Sequence, residues 1–113
     1  MSAIQLLQKY LNLASQRENL VTNNMANIDT PGFRTVDFNF HVEMERAAND
    51  QGNATLTPVV QPVPGLLARP DGNNVNLDRE GMLLAETQMQ VRMGVELIKS
   101  EFHRLLTAIN QGQ

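Results

Sequence analysis

His41 and Glu43 are residue types that ligate transition metals, and Asp71-Gly72-Asn73 opens in the manner of a calcium-binding loop. Neither pattern is completed. A zinc site takes three or four ligands at suitable spacing, and His103, far along the chain, is the one other histidine. In the calcium loop, Val75 and Asn76 stand where an oxygen ligand and a glycine are required. Ser2, Ser15 and Ser100 have no nucleophile context, and no glycine-rich loop is placed to cradle phosphate. The absence of cysteine excludes thiol chemistry, disulfides and cysteine-based zinc sites. Asn53-Ala54-Thr55 matches a glycosylation sequon by pattern alone. The expectation is a protein without catalytic residues, metal or cofactor.

The residues left to explain are Asn23-Asn24-Met25-Ala26-Asn27-Ile28-Asp29-Thr30-Pro31-Gly32-Phe33. Pro31 lacks an N–H and disfavours helical geometry at Thr30. Gly32 supplies the positive φ that a Pro-Gly type II turn needs at its third residue. Asn27 is suited to the left-handed conformation that often closes a helix. These residues account for a helix stop. Three asparagines at 23, 24 and 27 weaken the last helical turns without explaining themselves, and such local conflict is common where function resides.

The elements that position this stop follow from the proline distribution. All five prolines lie between residues 31 and 70, so two proline-free ends flank an irregular middle. The first end reads as helix over about Ile4–Ile28. Ile4, Leu7, Leu11, Ala14, Val21, Met25 and Ile28 step by threes and fours, with Glu18 filling one slot. Leu6, Leu13 and Leu20 form a second row, implying contact on more than one side. The last end reads as helix over about Arg79–Asn110, with Asp78 as N-cap and Glu80 in the first turn. Leu84, Val91, Val95, Ile98, Phe102, Leu105 and Ile109 form its seam, widened by Met82, Met89, Met93 and Leu97. Gly94, mid-helix, is either tolerated at about 1 kcal/mol or marks close approach by a neighbouring helix. Between the ends, Val36, Phe38, Phe40 and Val42 alternate with polar residues, predicting a short extended segment. A short helix over 42–48, a loop over 49–74 with Val59-Val60 briefly extended, and a turn at 71–74 complete the middle. The fold class is mainly α: two long terminal helices packed as a coiled-coil hairpin, joined by a Pro/Gly-containing extended segment with little β. One structural domain is expected, divided into residues 1–30, 31–77 and 78–113.

Composition agrees. Hydrophobic residues make up 42% of the 113, but aromatics only 4%, so a core would be aliphatic and methionine-based. Nine basic residues against twelve acidic ones are scattered, which speaks against nucleic-acid binding. No apolar run approaches the roughly 20 residues of a spanning helix. The first residues lack the basic and apolar regions of a cleavable signal.

The run from Asn23 to Phe33 resembles the signature of bacterial flagellar rod, hook and hook-associated proteins, in which an Asn/Ala-rich helix end meets Thr-Pro-Gly-Tyr/Phe. Asp71-Gly72-Asn73-Asn74-Val75-Asn76-Leu77-Asp78-Arg79-Glu80 and Phe33–Phe40 resemble two further segments of proximal rod members. The likeness spans both ends and the junctions, but little of 49–70. Met25 stands where isoleucine is commoner and Phe33 where tyrosine is, both apolar replacements. The chain is somewhat short for the family and leaves no room for the inserted domains of larger hook and distal-rod members. Two related proximal rod proteins share the N-terminal motif; the 71–80 segment favours one of them.

The resemblance implies a structural subunit of the periplasmic rod, exported by the flagellar type III apparatus and helping to carry torque from the membrane rotor ring to the distal rod and hook. It implies as partners other rod proteins, the rod-to-ring adaptor, the membrane ring, copies of itself and, transiently, the export apparatus. Nucleic acid and membrane insertion are not expected. The assembly motif is then Asn23, Asn24, Asn27, Asp29, Thr30, Pro31, Gly32 and Phe33, the asparagines bonding backbone of the turn or of a neighbour. Phe33, Phe38 and Phe40 would seat the redirected segment in an apolar groove. The apolar seams, with Leu7, Leu11, Val21, Met25 and Ile28 on the first helix, are divided between the helix pair and neighbouring subunits. A soluble helical adaptor gripping a partner helix is the alternative from another class.

Overall fold

The computed structural model describes residues 1–49 and 57–112, so the sequon at 53–55 and part of the 49–70 loop lie outside the described residues. Three helices carry the fold: α1 (Ala3–Ala26), α2 (Phe40–Asn49) and α3 (Leu77–Gln111). Two short strands, β1 (Val36–Asp37) and β2 (Gln61–Pro62), pair antiparallel with Val36 opposite Pro62.

A capping box starts α1: Ser2 Oγ accepts from the Gln5 N–H (3.1 Å) and Gln5 Oε1 accepts from the Ser2 N–H (3.0 Å). The helix ends at Ala26, two residues before the expected stop, and Asn27 closes it at φ −97° rather than in the left-handed region. Gly32 alone takes the positive φ here, at 76°. The N-cap of α3 is Asn76, whose Oδ1 accepts from the Arg79 N–H (3.1 Å). Asp78, the sequence-based choice, lies inside the first turn with Glu80, where both carboxylates still favour the dipole.

The alternating stretch from Val36 is extended for only two residues. Asn39 ends it by capping α2, its Oδ1 accepting from the Val42 N–H (3.1 Å) and its carbonyl from the Glu43 N–H (3.0 Å). Phe40 and Val42 are therefore helical. Turned to that period, Phe40, Met44 and Ala47 share a face and pack with Phe38 against Leu13 and Leu20 of α1. The Phe40 ring stands edge-on to Tyr10, centroids 5.4 Å apart. The second row of leucines on α1 thus finds its cover largely within the same chain.

The helices α1 and α3 run antiparallel. Asn24 lies beside Glu80, Leu11 and Tyr10 rest on Gly94, and Ile4 faces Leu105 across a cleft of about 460 Å³ at the open end. The buried line on α3 is Glu80, Leu83, Thr87 and Gly94. It falls one position before the apolar seam, so Leu84, Val91, Val95 and Ile98 are half-buried on its shoulder. Small residues explain the offset. A Cβ on Gly94 would stand 3.2 Å from Leu11 Cδ1, so the missing side chain is what lets α1 come close. On α1, Ala14 and Val21 are buried and Leu7, Leu11 and Met25 half-buried; Ile28, two residues past the helix end, is half-buried as well. Phe102, Leu105 and Ile109 remain exposed near the end of α3. The molecule measures 69 × 25 × 17 Å with a radius of gyration of 17.8 Å, well above the roughly 13 Å of a compact domain this size.

Candidate assembly junction

The closed end of the hairpin gathers the residues singled out in the sequence. Pro31 and Gly32 form the expected type II turn, with the Phe33 N–H donating to the Thr30 carbonyl (3.2 Å). A second turn lies against it. The Gly72 N–H donates to the Arg69 carbonyl (2.8 Å) and the Arg69 N–H to the Asn73 carbonyl (2.8 Å), with Gly72 at φ 88°. This is the pattern of a three-residue loop closed by a left-handed glycine. The turns are joined by the Gly32 N–H to the Asp71 carbonyl (2.8 Å) and the Asn74 N–H to the Phe33 carbonyl (3.2 Å). A Cβ on Gly72 would lie 3.4 Å from Gly32 Cα, so the backbones meet almost directly.

The asparagines act within the subunit. Asn24, only 1% exposed, donates through Nδ2 to the Val36 carbonyl (2.8 Å), and its Oδ1 receives the Val36 N–H at 3.4 Å. A helical side chain thereby serves β1 as a strand edge would. Asn27 donates to the Asn23 carbonyl (2.8 Å) and accepts from Thr30 Oγ1 (3.0 Å), binding the helix end to the turn. Asn23, Asp29, Thr30, Pro31 and Gly32 are exposed. Phe38 is buried and Phe40 half-buried on α1, but Phe33 does not join their cluster and stays half-buried.

Other residues of the junction were not anticipated. Asn73, fully buried, donates to the carbonyls of Asn27 and Thr30 (both 2.9 Å) and accepts from the Val75 N–H (2.9 Å). Asn74 accepts from the Thr35 N–H at 2.6 Å. Arg69 donates to the Ile28 carbonyl, one of the acceptors left open at the helix end. Beneath them Asp37 receives Arg17 Nε (3.1 Å), Arg17 Nη2 (3.0 Å), Arg79 Nη2 (3.0 Å) and the Phe38 N–H (2.8 Å). Arg79 also reaches the fully buried Glu80 at 2.6 Å. Burial works against the Asp37 charge, but the hydrogen bonds and charge of Arg17, the Phe38 amide and Arg79 outweigh it, holding the carboxyl below its usual range. Burial likewise opposes the Arg17 charge, and the hydrogen bond and charge of Asp37, joined by the charges of Glu86 and Glu80, outweigh it, so Arg17 titrates above its usual value. One carboxylate thus ties α1, the linker and α3 together. The signal available in the sequence was the scarcity of charge on α1, where Arg17 is one of three charged residues.

The arrangement positions backbone; among the described residues no group of three or more acidic, histidine or cysteine side chains is placed to hold a metal. Residues 1–34, comprising α1 and the turn through Gly32, match the family model described as "Flagella basal body rod protein". Along nearly its whole length the chain is similar to "Flagellar basal body rod protein FlgB" of Salmonella typhimurium, 29% identical with 98% of this chain and 95% of the relative covered. The protein of the same name from Buchnera aphidicola is 28% identical, with 88% and 87% covered. That from Borrelia hermsii is 29% identical, with 77% and 80% covered. The likeness to flagellar basal body rod proteins thus takes in both long helices and the junction between them. In this chain the stretch matched by the family model supplies one half of the junction, Asn24 to Gly32, and residues 69–80 supply the half that locks onto it.

Proposed function

We propose that this chain is a structural subunit of the proximal flagellar rod, placed in the basal body and helping to pass torque from the membrane ring to the distal rod and hook. The observation that carries the reading is the likeness to rod proteins over both helices together with the junction between them. The proposed neighbours are other rod proteins, the rod-to-ring adaptor, the membrane ring and further copies of this chain. The proposed place is the periplasm, reached through the flagellar export apparatus. The shape suits this role. The buried apolar cluster is small, centred on Leu13, Phe38 and Ala47, while large apolar side chains line the outside of α3. A helix pair with so little core is marginal alone and gains stability on docking. A loosely folded chain also passes through a narrow channel more readily. Asn23, Asp29, Thr30, Pro31 and Gly32, exposed at the closed end, are the proposed assembly motif, held in shape by Asn24 and Asn27.

The test is deletion of the gene in a flagellated host, followed by isolation of basal bodies. Loss of the rod and of swimming, both restored by the wild-type gene, is expected. Complete rods in the deletion strain refute the role. Circular dichroism separately tests coupled folding: a highly helical monomer melting cooperatively at micromolar concentration would contradict it.

A further inference from the structure

The α1 face turned away from α3 and α2 has an unusual composition. Gln5, Gln8, Asn12, Ser15, Asn19 and Thr22 follow one another by threes and fours, the spacing of a coiled-coil seam. All are exposed except Ser15, which is half-buried, and none is charged. The three charged residues of α1 lie elsewhere: Lys9 donates to the Ala47 carbonyl, Arg17 pairs with Asp37, and Glu18 is half-buried. A solvated helix face usually carries lysine and glutamate. A seam of small uncharged polar residues can instead be covered without stripping water from an ion.

The opposite outer face belongs to α3, where Met82, Met89, Met93 and Leu97 are 45–67% exposed. It points away from the buried line through Thr87 and Gly94. The two rows lie on opposite sides of the hairpin and match in length, roughly 26 Å and 22 Å at 1.5 Å per residue. Flexible methionines fill irregular gaps between short polar side chains. Glu86, Arg92, Glu96 and Lys99, exposed on α3 near the methionines, give the amides donors and acceptors.

We propose that the uncharged α1 seam of one subunit docks on the methionine row of α3 of a second copy. The inference rests on the rod reading, because only a contact between two different faces propagates into an open helical assembly; α1 against α1 would close as a dimer.

Absence of cysteine makes the test direct. Asn12 and Met89 lie near the midpoints of their rows and meet whichever way the neighbouring helix runs. Basal bodies are isolated from a strain whose sole copy carries Asn12→Cys with Met89→Cys, and are oxidised. A ladder of dimers, trimers and higher species, with each single variant monomeric, supports the proposal. Dimers from Asn12→Cys alone overturn it in favour of an α1–α1 contact. No cross-link in rods that contain the chain also overturns it. Asn12→Glu should leave the helicity of the purified chain unchanged but lower its incorporation at least tenfold; wild-type incorporation overturns the proposal. Absence of the wild-type chain from basal bodies would instead overturn the rod assignment.

Discussion

Replacing Asp37 by asparagine preserves shape and removes the charge on which Arg17 and Arg79 converge. The carboxylate accepts three guanidinium hydrogen bonds and one backbone N–H. Asparagine offers one oxygen and turns an NH2 group towards a guanidinium. Breaking a buried ion pair costs about 3–5 kcal/mol. The Asp37 side chain is 11% exposed and that of Arg79 is 23% exposed, so partial screening places the cost near the lower end, at about 3 kcal/mol. Urea titration followed by far-ultraviolet circular dichroism measures the loss, with trimethylamine oxide added to secure a folded baseline for a marginal helix pair. Combining Asp37→Asn with Arg17→Gln gives the coupling, expected at about 2 kcal/mol. The exposed Arg34, changed to glutamine, serves as the control and should stay within about 0.5 kcal/mol. A loss below about 1 kcal/mol, or strict additivity with Arg17→Gln, would refute the claim that one carboxylate ties the three elements.

The remaining expectations concern acid, the turns and the helix contact. Because Asp37 titrates lower in the folded chain than in the unfolded one, its contribution is complete above about pH 4 and is lost as pH falls through the folded value. Acid titration should show a limb that Asp37→Asn flattens. Asn73→Ala removes both donors to the Asn27 and Thr30 carbonyls and should cost about 2–3 kcal/mol by the same urea assay. Gly32→Ala, with φ 76° and open space around the new Cβ, should cost about 1–2 kcal/mol from backbone strain alone. In soft-agar assays both Gly32→Ala and Asn27→Ala should reduce swimming at normal expression; normal swimming in both counts against the motif. Gly94→Ala should fall within about 1 kcal/mol of wild type, since the gain in helix propensity offsets the 3.2 Å approach to Leu11. Gly94→Val should cost about 2–3 kcal/mol by overpacking, read by the same urea assay.

The helices were legible because their patterns are long. Threes and fours sustained over α1 and α3 leave little choice of period. The Pro31-Gly32 turn was legible because few residues adopt its geometry. The Phe38–Val42 stretch misled because alternation over a few residues does not distinguish a strand from a helix capped at Asn39. The offset of the α3 seam has a different cause: periodicity reports apolar residues, whereas Thr87 and Gly94 are chosen for smallness and leave no apolar mark. The Arg17–Asp37–Arg79 cluster was hidden because its members lie on three elements, and no local pattern announces a contact between Asp37 and Arg79, 42 residues apart.

The two ends of the hairpin are held by different forces. At the closed end, short directional bonds join Asn24, Asn73, Asp37 and both turns. At the other, Ile4 and Leu105 face across an open cleft, and the 35-residue α3 runs past the 24-residue α1. Directional bonds fail once stretched by a fraction of an ångström, whereas apolar contacts slide and re-form. Under twist the subunit is therefore stiff and brittle at one pole and compliant at the other. A column of such subunits would spread a sudden load through the yielding pole before the bonded one gives way.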